Sequence, residues 1–301
     1  MAGVADIIIW RATEADMPAI RDIFYRNEIA GEPPDSPDLP EPRLLAGHAH
    51  LLATGEIWIA EQDGLPIGFT ARMVRGSIAY LADLFVLQAH QSGNVGRQLL
   101  TAGFPDDVAI RCTMSSTDPR AHALYTRLGM RPQWPNYWLR SAANRRDTLP
   151  ETDIHLIEAE PDDAEWAAWD ARYSGRQRPE EHAYWLNECH AIRFWFERAG
   201  QRIGYGQVQR VSDGSLWLPD AYTLGPIGAE TEADAQDCVL SAADWTLRQG
   251  RVVRVAVPGP HPALKPLLDA HFEITYIETF HSSASVPFFD ARLYLPPGDL
   301  F

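Results

Sequence analysis

The sequence predicts an α/β protein made of two tandem copies of one fold, each a mixed, mostly antiparallel sheet flanked by helices. Three observations predict it. The predicted elements of the first half run strand, two helices, three-strand meander, helix, strand, helix, strand, the order of a mixed sheet. The stretch EIWIAEQDGLPIGFTARMVRGSIAYLADLFVLQ (56–88) aligns with RFWFERAGQRIGYGQVQRVSDGSLWLPDAYTLG (193–225). That alignment sets Trp58 against Trp195, Gly64 against Gly200, Gly68 against Gly204, Gly76 against Gly214 and Asp83 against Asp220, at an offset of roughly 137 residues. Upstream, IIIWRATEADMPAI resembles IHLIEAEPDDAEWAAW. The two copies are expected at 1–145 and 152–301, joined near the polar segment SAANRRDTLPETD (141–153), which contains Pro150.

In chain order, DIIIWRA is a strand, and Thr13 with Asp16 predicts the start of a helix over 14–27. EIAGEPPDSPDLPEP (28–42) holds five prolines and reads as a loop. RLLAGHAHLLATG is a second helix. Strands follow at 56–62, 66–74 and 77–87, the first two joined across Asp63-Gly64, a hairpin signal. A helix at 95–103, a short strand at 107–113 and a helix at 118–128, stopped by Gly129, complete the series before the closing strand QWPNYWLRS.

The chain has 301 residues, a formal net charge of −15 and a pI near 5.0. Such a balance argues against nucleic-acid binding, which needs a phosphate-neutralising basic face. It suits a cationic small substrate, and equally suits plain solubility. Cys112, Cys189 and Cys238 are too scattered for a disulfide framework or a metal site. No N-terminal signal and no apolar window near the ~20 residues of a membrane helix is visible, so the expectation is a cytoplasmic protein with no membrane partner.

The stretch FVLQAHQSGNVGRQLL (85–100) breaks a strand into a glycine-bearing turn and resumes at once with helical spacing. A helix N-terminus carries unpaired N–H donors and partial positive charge, so such a turn favours an anion. The alternative is plain topology. Some twenty residues later comes STDPRAHALYTRLGM. Together, in this order and spacing, the two segments resemble the signatures of the GNAT superfamily of acyl-coenzyme A-dependent N-acyltransferases. The first, an apolar strand followed by Gln/Arg-x-x-Gly-x-Gly/Ala, is matched by LFVLQAHQSGNVG with Gln91 and Gly96 in place. The second is matched by DPRAHALYTRLGM, with Ala121, Leu124, Tyr125 and Gly129 in register, Asp118 standing for Asn and Met130 for Phe. The middle glycine of the turn is Asn94 here, with Gly93 one position early; Asn tolerates left-handed backbone.

The resemblance implies acyl-coenzyme A, most simply acetyl-coenzyme A, as co-substrate and a small-molecule amine as acceptor. It implies diphosphate binding by Gln91, Ser92, Gly93, Asn94, Val95, Gly96 and Arg97, and backbone contacts from Phe85, Val86 and Leu87 to the pantetheine arm. Asp118 joins that set, with helix capping as its structural alternative. It implies direct attack by a neutral amine, with Tyr125 protonating the departing sulfur. Asp83, just before the exposed strand, is a candidate to orient or deprotonate the amine; Asp220 in the matching place allows a structural duty instead. His48 and His50 are further candidates, although His-x-His on a helix points to two faces. His90 and Tyr80 are weaker ones.

In the second half the turn reads LGPIGAETEADAQDCVL, where Glu230, Glu232 and Asp234 would repel phosphate, and Leu267 or Leu268 stands where Tyr125 recurs. Residues 152–301 are therefore expected to be degenerate and non-catalytic. Glu28, Glu32, Asp35, Asp38 and Glu41 on the proline-rich loop would enrich a cationic amine. Two other readings compete: an acyl-carrier-protein donor docked on Arg97, Arg120 and Arg127, and a non-enzymatic acyl-coenzyme A sensor. The lack of a Gly-x-Ser-x-Gly elbow, with Ser215 in a hairpin, argues against a hydrolase.

Overall fold

The computed structural model describes residues 6–33, 36–104, 108–141, 148–298 and 300–301, so Asp35 of the acidic loop lies outside the described residues. The chain folds into two compact units. One holds the described residues up to Thr113 together with Asp213–Trp217, the other Met114–Ser212 and Leu218–Phe301. Among the described residues the strands form one mixed, mostly antiparallel 13-stranded sheet flanked by helices.

In the first unit the sheet order is β1 (Ile8–Arg11), β2 (Glu56–Gln62), β3 (Leu65–Arg75), β4 (Ile78–Val86) and β5, whose span Ile110–Ser115 crosses into the second unit's residues. All neighbours are antiparallel except β4 and β5. The β2–β3 turn has positive φ at both Asp63 (55°) and Gly64 (79°), as a two-residue primed turn requires. Helix α1 (Met17–Glu28) follows a one-turn 3₁₀ segment closed by the reciprocal Thr13/Asp16 capping box. Its Ile20, Ile23 and Phe24 are buried toward β3 and β4, each worth about 1.5–3 kcal/mol of apolar burial. Helix α3 (Val95–Gly103) buries Val95 and Leu99 against Ala60 and Ile67 on the other face.

Helix α2 (Ala46–Thr54) starts on Leu45, which offers no side-chain cap. Asp213, from the short piece of the second half that belongs to this unit, supplies the missing acceptor. Its carboxylate takes the Ala46 N–H at 3.1 Å and the Gly47 N–H at 2.6 Å, while Arg43 donates to the Ser215 carbonyl at 3.0 Å.

Here the structure departs from the repeat alignment. Asp83 lies in β4, whereas Asp220 is an exposed turn residue ahead of β10 (Tyr222–Ala229). The segment 213–221, aligned with the start of β4, forms no strand, because it is spent on the α2 cap and a loop. Asp83 and Asp220 are not structural equivalents.

The second unit's sheet runs β12 (Glu273–Ser282), β6 (Arg131–Ser141), β11 (Val253–Pro258), β10, β9 (Gln201–Gln209), β8 (Ile192–Arg198), β7 (His155–Glu158), with β13 (Tyr294–Leu295) on β10. Only β10 and β11 are parallel. Helix α7 (Glu232–Arg248) covers one face, packing Cys238 and Val239 with Phe194, Phe196, Leu224 and Val255. Helices α5 (Ala164–Ser174) and α6 (Pro179–Asn187) belong to the same unit, as do α4 (Pro119–Arg127) and α8 (Leu264–Asp269). β6, the last strand of the first repeat, is zipped between β11 and β12. Compactness therefore breaks the chain at Thr113/Met114 and not at the polar joint 141–153, most of whose first half (142–147) lies outside the described residues.

Candidate active site

The strand that feeds the turn is shaped before it arrives. The β3–β4 register runs Ala71↔Asp83 and then Arg72↔Leu81, so β4 carries a bulge at Ala82. Its parallel pairing with β5 is Ile78 to Leu81 against Ile110 to Thr113. Beyond Leu81 the β5-side edge of β4 is free of that ladder, and this stretch holds Phe85 and Val86. A bulge that ends pairing leaves peptide groups for another partner. Leu87 turns into a short 3₁₀ segment, and Gln91 folds back to donate to the Val86 carbonyl at 3.0 Å.

The turn itself differs from expectation in detail. Left-handed backbone falls on Ser92 (φ 66°) and Asn94 (φ 68°), not on Gly93. Asn94 is the residue before helix α3 and makes no side-chain cap. Ser92, Gly93, Asn94 and Arg97 are exposed. The N–H groups of Val95, Gly96 and Arg97 head the helix, where no intrahelical acceptor exists. Alternating left-handed residues with a following helix start form a concave set of donors suited to phosphate oxygens.

Asp83 and His48 meet behind this strand. His48 is buried between the rings of Phe24 (5.0 Å) and Phe69 (5.7 Å), and Phe24 also packs on Phe85 (5.2 Å). Its Nε2 lies 3.6 Å from Asp83 Oδ2, too long for a hydrogen bond, and its Nδ1 has no partner. Burial lowers the His48 imidazole to about 4 against the opposing pull of Asp213. Burial, and then the charge of Glu28, push the Asp83 carboxyl up to about 7. Burial thus favours the neutral form of both groups, the imidazole of His48 and the carboxyl of Asp83. Near neutral pH the site holds a neutral imidazole beside a carboxyl poised between its two forms, the condition for a general base. His50 is half-buried on another face and interacts with Thr54, as the His-x-His spacing requires. His90 is engaged by Gln62 and Tyr80 is a buried β4 residue.

In the second unit, Tyr125 is buried on α4. Its ring lies 5.8 Å from His281, which lies 4.7 Å from His122. Burial, and next to it His122, keep His281 below the ordinary histidine range; its Nδ1 sits 3.1 Å from the Thr279 carbonyl and its Nε2 has no partner. Nothing in the sequence marked His281, because a single His in a late strand has no periodic or motif signal. Asp118 caps α4, accepting the Arg120 N–H at 2.8 Å, and its carboxylate also grips the Arg120 guanidinium at 2.6 Å. Arg120 is therefore not a free cation for an acidic carrier protein.

The α7 N-terminus, where a second phosphate turn would sit, is filled by the chain's own groups. Thr231 accepts the Asp234 N–H, and Arg198 holds the Asp234 carboxylate. A separate cleft of about 500 Å³ on the outer side of α1, lined by Arg21, Tyr25, Arg26 and Pro42 among others, contains none of the motif residues. Among the described residues no helix is long and apolar enough to cross a membrane.

Comparison with known proteins bears on the fold. Residues 53–131 match the family model described as an acetyltransferase (GNAT) domain. A protein from Pyrococcus horikoshii assigned to the acetyltransferases superposes with a TM-score of 0.71 at 16% identity, over 96% of this chain and 92% of its own. A tandem GNAT protein of the clavulanic acid biosynthesis pathway gives 0.61 at 14% identity, over 94% and 100%. A GCN5-related N-acetyltransferase from Sphaerobacter thermophilus gives 0.61 at 14%, over 92% and 95%. The fold is that of the GNAT acetyltransferases, and the match to the family model lies within residues 53–131.

Proposed function

We propose that the chain is an N-acyltransferase, most simply an N-acetyltransferase, acting on a small cationic amine, with a catalytic first copy (1–145) and a degenerate second copy (152–301) in a tandem arrangement. The observation that carries this reading is the bulged β4 leading into a helix-headed donor turn, with Asp83 held near neutrality beside the bulge. The turn from Gln91 to Arg97 fits a diphosphate, and the open edge at Phe85–Leu87 fits an amide-bearing arm. Acyl-coenzyme A supplies an activated thioester. Asp83, directly or through one water, takes a proton from the ammonium form of the acceptor. The freed amine attacks the carbonyl, the C–N bond forms, the nitrogen gives up its second proton to solvent, and the C–S bond breaks. Tyr125 gives its proton to the departing sulfur and is reprotonated from solvent. Asp118 serves the site indirectly, by holding the start of the helix that carries Tyr125.

Two features support a cationic acceptor. Glu28 raises the Asp83 carboxyl by its charge, so the two acidic groups lie within electrostatic reach of one another. Glu32, Asp38 and Glu41 are exposed on the loop that follows α1. The test is thiol release from acetyl-coenzyme A by the full chain with putrescine, spermidine and an aminoglycoside, against neutral and anionic amines. Amine-dependent release favouring the cations is expected. Release with neutral or anionic amines alone removes the cationic acceptor, and no amine-dependent release despite binding favours a sensor. In the same assay Tyr125→Phe is expected to lower kcat by ~10²-fold with KM little changed, the signature of a group used only in the transition state.

A further inference from the structure

The second unit buries a polar pair whose hydrogen-bonding capacity is only partly used. On the β8–β9 hairpin Arg193 stands directly opposite Gln207, and both are buried, at 3% and 0% exposure. The Trp166 ring lies 4.2 Å from the Arg193 guanidinium and fixes its plane, while Nη1 donates to the Pro161 carbonyl. The other edge, Nε with Nη2, has no acceptor, and neither amide atom of Gln207 has a partner. That edge is the fork by which arginine grips a carboxylate with two parallel bonds, as Arg178 grips Asp170 in this unit.

The carboxylates whose charge reaches Arg193 are committed elsewhere. Asp170 also accepts from His182 and Tyr205, and Asp163 accepts from the Glu165 and Trp166 N–H groups and the Trp195 indole. Burial accordingly drags the Arg193 guanidinium down to about 10. Leaving a buried donor or acceptor unmade is costly, more so for a charged one.

The first unit shows that the fold does not require polar groups here. In both hairpins the register shifts just after a Gly pair, Ala60↔Gly68 in one and Phe196↔Gly204 in the other. Three residues back from each, the first unit has Ile57↔Ala71, an apolar pair with no exposure, and the second has Arg193↔Gln207.

We propose that Arg193 and Gln207 form a binding site for a small carboxylate that also carries a hydroxyl or ammonium donor. The carboxylate takes the Nε–Nη2 fork of Arg193, the Gln207 amide N–H₂ donates to the same anion, and the Gln207 carbonyl receives the ligand's donor. This site is independent of acyl transfer in the first copy and survives if that reading fails.

The test is thermal unfolding and calorimetry of the full chain with glycine, L-serine and L-lactate, beside acetate and inorganic phosphate. One of the first three is expected to raise Tm in a dose-dependent way, with acetate weaker for want of a donor and phosphate without effect. Arg193→Lys keeps the charge, loses the fork and is expected to weaken binding at least tenfold. The double variant Arg193→Ile with Gln207→Ala restores the first unit's apolar pair and is expected to abolish the shift. Should that variant not fold, the wild-type and Arg193→Lys titrations decide. The proposal is overturned if none of the three moves the wild type, as when water alone fills the site. Phosphate binding as tightly as any carboxylate, or undiminished binding by Arg193→Lys, also overturns it.

Discussion

Asp83→Asn is expected to lower kcat by ~10²–10⁴-fold, the range for loss of a positioned base, and to make the protein more stable above pH 7. Both follow from one fact: the Asp83 carboxyl is raised from 3.8 to about 7, first by burial and then by Glu28. The folded protein binds this proton more tightly than the unfolded chain. Its contribution to stability is therefore present in full below pH 3.8 and is lost as pH rises toward 7. A displacement of that size corresponds to about 4 kcal/mol. The neutral amide escapes that loss, so the variant gains on the wild type as pH rises. His48 works in the opposite sense. Its pKa falls from 6.5 to about 4, so its contribution grows as pH rises through that interval. In the wild type the two slopes partly cancel, and in Asp83→Asn the His48 slope is exposed. Urea melts at pH 5 and pH 8 for both proteins, with a kcat–pH profile showing an acidic limb near pH 7 in the wild type, check this. A wild-type profile flat from pH 5 to 8 would take the base role from Asp83.

Gly96→Asp is expected to raise the Kd for acyl-coenzyme A by ~100-fold, about 2.8 kcal/mol, without harming the fold. Gly96 is the second residue of α3. A carboxylate in a helix's first turn is favourable to the helix itself, by about 0.3–1 kcal/mol. The same charge competes for the donors that would hold a diphosphate. A helix of this kind is present in the second half: α7 begins with Glu232 and Asp234 in its first turn and is a long, well-buried helix. Calorimetry with coenzyme A, repeated at high salt where the repulsion is screened, separates charge from misfolding. Unchanged affinity in a folded variant would remove the turn from the binding site.

The outline of the first unit was legible because its signals are local. The 95–103 helix has the predicted bounds, and the Asp63-Gly64 hairpin takes the primed geometry that its two residues favour. The turn from Gln91 to the helix start was legible because a strand, a turn and a helix follow one another within a few residues. What the sequence hid depends on distant partners. Asp213 caps α2 from a point in the chain well over a hundred residues away, so no local reading could find it. The aligned Asp220 pointed the wrong way, since identity at matching positions does not survive a loop recruited to another duty. The positive φ at Ser92 and Asn94, in place of Gly93, shows that the turn needs left-handed backbone without needing glycine to supply it. Arg193 looked like any charged strand residue until its burial was known.

The most direct test is a crystal structure of the full chain grown with excess coenzyme A. The diphosphate should lie against the backbone N–H groups between Ser92 and Arg97, with the pantetheine arm along Phe85–Leu87. Coenzyme A bound instead at the start of α7, with the α3 turn unengaged, would contradict the account.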